Sequence, residues 1–183
     1  MNNLVVEDLM EVQSDLGRSL SFTITGDPPT QERHRLAFMR APPMGRMGYH
    51  IYDPSSRRKR IYATMVRNAM VNYGLTVPYF ASNEPITLGA IFVIPRRRQD
   101  LVQQGGSTVL TQSAHAFPRK KDIDNLLKFV MDALQGVFYY NDVTITRVVV
   151  TKMFAVNPNA RGWTELQFSS SSAPNPLATG VWA

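Results

Sequence analysis

Two stretches of the chain repeat their apolar residues at the spacing of an α-helix, and each is bounded by β-rich segments. From Ser55 to Gly74 apolar residues fall at 61, 62, 65, 66, 69, 70 and 73, the three-to-four spacing of one helix face. Ser55 or Ser56 supplies an N-cap, and the helix is expected to run to about Asn72 and stop near Gly74. The second run places apolar residues at 123, 126, 127, 130, 131 and 134 and ends at Gly136, predicting a helix over 124–135 with glycine at its C′ position. Around them, "SLSFTITG" (19–26) alternates Leu20, Phe22 and Ile24 with polar residues before the turn signal "GDPP". "RHRLAFMRA" reads as extended, "PPMGRMG" (42–48) as a loop, "YHIY" as a short strand and "PITLGAIFVIP" (85–95) as a strand. "VFYYNDVTITRVVVTKMFAV" reads as a turn at Asn141-Asp142 leading into a strand from about 143 to 156. The order strand, strand, helix, strand, helix, strand implies an α/β (α+β) domain, a single mixed β-sheet with helices packed on it.

The expected boundaries are an acidic N-terminal arm (1–18), one domain (19–165) and a low-complexity C-terminal tail (166–183). The segment "RRRQDLVQQGGSTVLTQSAHAFPRKK" has no strong periodicity and reads as a long loop or flap beside a functional face. A chain of 183 residues accommodates one domain with a full core. It has no cysteine, which removes disulfides and thiolate zinc sites. With three scattered histidines, any metal is expected on hard oxygen ligands. No run of 18 or more apolar residues occurs, and the N-terminus lacks a basic leader region. An intracellular protein with no membrane span is therefore expected.

The net charge of +6 is unevenly spread. Residues 1–17 carry Glu7, Asp8, Glu11 and Asp15 and no base. The rest holds 20 bases against 10 acids, and 15 of those bases are arginine, which grips phosphate through two parallel hydrogen bonds. The bases cluster as Arg57-Arg58-Lys59-Arg60, Arg96-Arg97-Arg98 and Arg119-Lys120-Lys121. That pattern suits a polyanion binder, or a solvated basic surface.

Immediately after the last cluster comes "DIDNLLKFVMDALQG", with Asp122 and Asp124 opening the second helix. Asp124, Lys128 and Asp132 are four residues apart and share a face away from the apolar stripe. The acids suit a helix N-terminus as caps, worth about 1 kcal/mol. They equally suit two arms of a metal site, with Asp142 in the "YYND" turn as a third carboxylate. Acidic oxygens hold Mg²⁺ or Mn²⁺, the cation offsets charge developing on a phosphodiester, and a lysine stabilises the same charge. Basic clusters that collect phosphate give such acids a use that capping does not require.

The stretch "KKDIDNLLKFVMDALQGVFYYND" resembles the signature of the RusA-type Holliday junction resolvases. "GDPPTQERHR" resembles that family's N-terminal arginine element, and "IYDPSSRRKR" the start of its first helix. The likeness covers most of residues 20–152. It implies a RusA-like fold and a homodimeric, Mg²⁺-dependent (or Mn²⁺-dependent) endonuclease that makes paired nicks in branched, four-way DNA. It further implies metal ligation by Asp122, Asp124 and Asp142, catalytic assistance by Lys128, and phosphate contacts from Arg33 and Arg35. Asn141 stands where the family carries an acid, and Lys121 where it commonly carries proline. The same scaffold leaves two alternatives: a non-catalytic DNA-binding or architectural protein, and a nuclease acting on flaps or forks. Asp132 is expected at the surface or behind the metal ligands, His115 in solvent, and Phe138, Tyr139 and Tyr140 in the core or a dimer interface.

Overall fold

The computed structural model describes residues 5–14, 17–39 and 48–170. Its centre is a five-stranded sheet built from β1 (Val5–Ser14), β2 (Gly17–Thr25), β5 (Ile86–Ile94), β8 (Ile145–Phe154) and β9 (Trp163–Ser170), in the order β1-β2-β9-β5-β8. Neighbours are antiparallel except β5 and β8, which run parallel. A parallel pair needs a crossover, and the connection from β5 to β8 carries α2 (Ile123–Leu134). A first helix, α1 (Ser56–Asn72), packs beside α2. Two separate ribbons complete the described residues: β3 (Arg35–Met39) with β4 (Gly48–Tyr52), and β6 (Leu101–Gln104) with β7 (Ser107–Leu110). The mixed sheet with packed helices is the α+β architecture that the alternation of elements implied.

The core follows from the two periodicities. Leu20, Phe22 and Ile24 of β2 and Thr164, Leu166 and Phe168 of β9 are buried at every second position. Against them lie Tyr62, Val66 and Met70 of α1 and Leu126, Phe129, Val130, Ala133 and Leu134 of α2. Tyr62 meets Phe129 edge-on at 5.5 Å. Phe138 stacks between Phe22 (5.3 Å) and Phe168 (4.3 Å), so the chain leaving α2 is fastened to the sheet. Each of these rings contributes about 1.5–3 kcal/mol through burial. Gly162 marks a close backbone approach, since a Cβ there would sit 2.7 Å from both Pro95 Cδ and the Val93 carbonyl.

Three expectations about boundaries differ from the structure. Residues of the acidic arm form β1, an edge strand whose buried Leu9 and whose Glu11, accepting from the Tyr79 hydroxyl, tie it to the core. Residues 166–170, assigned to a tail, belong to β9 in the interior of the sheet; 171–183 lie outside the described residues, as does most of the 42–48 loop. The segment after β5 is not a plain loop. Gly105 and Gly106, at φ +60° and +80°, turn β6 back on β7, and glycine adopts that left-handed pair without a Cβ clash. The helices start and stop within a residue of expectation, with Gly74 and Gly136 at φ +75° and +76° just past their ends.

Candidate active site

Asp122 occupies the N-cap of α2 with extended backbone (φ −58°, ψ 140°), and its carbonyl accepts the first helical bond from Leu126 N at 3.1 Å. Its carboxylate caps nothing. Asp122, Asp124 and Lys128 are all exposed, because α2 turns its apolar residues to the core. Asp124 and Lys128, four residues apart, do not form an ion pair, and among the described residues none of the three side chains has a hydrogen-bond or ion-pair partner. The helix therefore presents two unengaged carboxylates at its positive end and an unengaged ammonium one turn on.

The approach to Asp122 is held from behind. Lys121 has φ +62°, a left-handed conformation that costs a non-glycine residue about 1 kcal/mol. Three contacts hold it there. Its Nζ donates to the Pro28 carbonyl at 2.6 Å and pairs with Asp27 Oδ1 at 2.6 Å, and its own carbonyl accepts from Lys152 Nζ of β8 at 2.9 Å. Gln31 N donates to the Asn125 carbonyl at 2.9 Å, which lays the 26–34 loop over the first turn of α2. Proline, with φ near −65°, cannot reproduce the backbone seen at 121.

The basic residues divide into two kinds. Arg33, Arg57, Arg60, Arg98 and Lys120 are exposed and, among the described residues, form no ion pair with an acid. Arg119 lies 6.0 Å over the Phe117 ring. Others are engaged internally: Arg35 and Arg58 pair with Glu32, Arg97 with Asp100, and Lys59 with both Asp53 (2.8 Å) and Asp132 (2.6 Å). Arg96 stacks 3.8 Å over Phe154 and donates to the His115 carbonyl. It lines a hollow of about 220 Å³ with Arg97, Arg119, Lys120 and Lys121, on the side of the molecule where α2 begins. Thus Lys59 and Lys121, expected at phosphates, have their ammonium groups committed to the protein.

The Lys59 cluster had no sequence signal beyond its individual charges. Burial pushes the Asp53 carboxyl up, but hydrogen bonds from Lys59, Ser55 N and Gln31 outweigh it and hold the group down at about 2. Burial likewise lowers Lys59, and the hydrogen bonds to Asp132 and Asp53 more than reverse it. The cluster clamps the start of α1 to α2, and it accounts for Asp132. Ser55 is the N-cap residue of α1 without a side-chain cap; its hydroxyl instead accepts from Glu32 N at 2.9 Å.

Asp142 is exposed and begins the short 3₁₀ turn Asp142–Thr144, while Asn141 caps that turn by accepting from Val143 N at 3.2 Å. The turn feeds β8 at the end where Ile145 pairs with Ile86. Lys152, which holds Lys121, lies seven residues along the same strand, opposite Phe92. Asp122 and Asp142 therefore sit at opposite ends of the sheet, about 20 Å apart by strand rise. The 12 residues of α2 give about 18 Å by helix rise. Accordingly, among the described residues no three acids or histidines converge as a metal-binding group. Of the aromatic run before Asp142, Phe138 and Tyr139 are fully buried and Tyr140 is exposed. Burial pushes the Tyr139 phenol up, and the nearby charges of Asp142 and Asp132 push it further.

Free carboxylates and a free lysine at a helix start, set among unpaired arginines on an α+β scaffold, are the equipment of an enzyme acting on a polyanion. The model of the family Endodeoxyribonuclease RusA matches residues 26–161 of this chain. The chain belongs to that family, and its class is that of a DNA-cutting enzyme. No curated protein matches it. The match begins after β2 and ends before β9, so three of the five strands of the sheet, β1, β2 and β9, lie outside it.

Proposed function

We propose that the protein is a divalent-metal-dependent endonuclease that resolves four-way DNA junctions, working inside the cell as a homodimer. The observation that carries the reading is the unengaged pair Asp122 and Asp124 with Lys128, inside the family-matched stretch and beside unpaired bases. Hard carboxylate oxygens suit Mg²⁺ or Mn²⁺; Asp122 and Asp124 of one chain would hold it, with Asp142, about 20 Å away within that chain, reaching it from the second copy of the proposed homodimer. Such a cation supplies neutralisation of charge on the phosphoryl oxygens. Lys128, four residues beyond Asp124 on the same face, donates to a non-bridging oxygen as charge builds there. Water attacks phosphorus in line and the P–O3′ bond breaks, leaving 5′-phosphate and 3′-hydroxyl ends. Arg33, Arg57, Arg60, Arg98, Arg119 and Lys120 collect the DNA arms through phosphates, which makes binding steeply salt-dependent.

The test is a synthetic four-way junction incubated with Mg²⁺ and the protein, beside the Asp124→Asn variant. Symmetric nicks from the wild type, lost in the variant with junction binding kept, support the proposal. Binding without cutting under any divalent metal would establish the architectural alternative, and preferential cutting of flaps or forks would change the substrate.

A further inference from the structure

Between the second and third basic clusters the chain runs from Leu101 to Pro118 without a Lys, Arg, Asp or Glu. The β6–β7 ribbon lies within that stretch and is fastened at its root. Arg97 pairs with the buried Asp100 at 3.2 Å, Thr111 N donates to the Asp100 carbonyl at 3.0 Å, and Arg96 donates to the His115 carbonyl at 2.6 Å. Arg97 and His115 line the same hollow of about 220 Å³ as Lys121, the residue before Asp122. The ribbon therefore stands beside the start of α2, and its residues 102–107 are exposed throughout. Opposed residues of an antiparallel pair share a face. Leu101 opposes Leu110 and Val102 opposes Val109 near the root, while Gln103 opposes Thr108 and Gln104 opposes Ser107 at the tip. Gln103 Nε2 donates to Thr108 Oγ1 at 2.8 Å, which orients the amide and leaves its Oε1 and a second N–H for a ligand. Gln104 and Ser107, on the other face, have no side-chain hydrogen bond among the described residues. Uncharged amides and hydroxyls suit base edges, whereas phosphates are held by the charges at the root.

We propose that the β6–β7 ribbon enters the major groove of the DNA arm being cut and reads base edges there through Gln103, Gln104 and Ser107, so that it sets which sequences are cut. The inference deepens the endonuclease reading, from which it takes the DNA. Dimensions favour the major groove. Four-residue strands reach about 13 Å, more than the groove's depth of about 8.5 Å. Its width of about 12 Å admits two strands, and the minor groove of about 6 Å does not. Gly105 and Gly106 leave the turn without side chains, so the tip approaches the base edges closely. With the tip in the groove, Arg98, Arg119 and Lys120 near the root meet the flanking phosphates. Charge then fixes the position on the duplex and the tip supplies the choice of sequence. A Gln amide pairs with N6 and N7 of adenine through two hydrogen bonds, so adenine is the base expected beneath the tip.

The test is a metal-free binding selection from four-way junctions with randomised arms, sequenced for the wild type and for a variant carrying both Gln103→Ala and Gln104→Ala, two exposed positions. Wild type is expected to enrich particular bases near the crossover, adenine foremost, with affinity about tenfold or more above junctions lacking them. The double variant is expected to bring that ratio to within about twofold, with its salt-dependence slope unchanged, because no phosphate contact is removed. Cleavage sites mapped with Mg²⁺ should lose their preference in parallel. A wild type without preference, or a preference that survives the double variant, overturns the inference. So does a uniform fall in affinity with a slope lowered by about one, which would make the ribbon a backbone clamp. If wild type cuts no junction with any metal, the endonuclease reading falls, while the binding selection still decides whether the ribbon reads sequence.

Discussion

The two edges of the five-stranded sheet are built to opposite ends. β1 closes one edge with a register shift between Glu7 and Met10, where Asp8 takes φ +53°. It also sets Glu7, Asp8 and Glu11 along that edge strand. Bulges and charges of this kind keep another strand from docking. β8 at the other edge carries Val148, Val149 and Val150 in a row, and of its two charged residues Lys152 is held inward on the Lys121 carbonyl. One edge repels a further strand and the other invites one, so the sheet can grow in one direction only. That asymmetry suits the proposed homodimer better than an open filament.

The comparison breaks most directly if the same substitution acts alike on both edges. Val12→Lys on β1 and Val148→Lys on β8 place the same charge at exposed valines. The β8 change is expected to dissociate the proposed dimer and reduce junction cleavage by about 10²-fold or more, the scale of losing a catalytic group. The β1 change is expected to leave both within twofold. Equal losses, or equal tolerance, measured by sedimentation and single-turnover cleavage, would remove the distinction.

Lys152 sharpens it from within β8, since this residue links the open edge to the acids. Lys152→Met removes the donor that holds the left-handed Lys121. Cleavage is expected to fall by about tenfold, as for a partner that orients a ligand without touching the metal. Amide exchange across 119–126 should rise, metal-free junction affinity should stay unchanged, and Lys152→Arg should restore most of the loss. A drop in metal-free affinity would instead make Lys152 a phosphate contact.

The bases separate by the same logic of free against engaged groups. Arg98→Ala or Lys120→Ala should lower the salt-dependence slope of junction binding by about one. Arg97→Ala should leave the slope nearly unchanged, because Arg97 already pairs with the buried Asp100. Binding titrations from 50 to 200 mM salt distinguish the two classes.

The helices and the central strands were legible because burial imposes period on them: α2 reads from Leu126 to Leu134, and β5 is apolar nearly throughout. β9 has an equally clean alternation in Thr164, Leu166 and Phe168, but it runs into the serines that open the tail and was masked by them. β1 was hidden for another reason. Its acids read as a solvated arm, whereas an edge strand with one face in water tolerates acids at every outward position. The Gly105-Gly106 turn was a usable hairpin signal between two short polar strands. The acids of the site were legible by residue type and spacing, and their distance was not. A turn near a strand start suggests nearness to a helix only until the crossover is fixed. Here the parallel pairing of β5 and β8 forces α2 to run the length of the sheet between Asp122 and Asp142.

The smallest expected effect concerns the Lys59 clamp, which lies away from both edges and should respond to pH without touching the dimer. Asp53 has its carboxyl lowered from 3.8 to about 2 in the folded protein. A lowered folded value means the ionised form is the one that folding favours. Its contribution is therefore complete above about pH 4 and is lost as pH falls through 3.8 toward 2. The loss should be on the order of 1 kcal/mol, discounted for partial solvent access. Asp53→Asn should flatten the decline in unfolding free energy over that window by the same amount while leaving the sedimentation coefficient at neutral pH unchanged. Were the variant instead to shift the monomer–dimer balance, α1 would have to take part in the interface, and the division between a closed β1 edge and an open β8 edge would no longer describe how two copies meet.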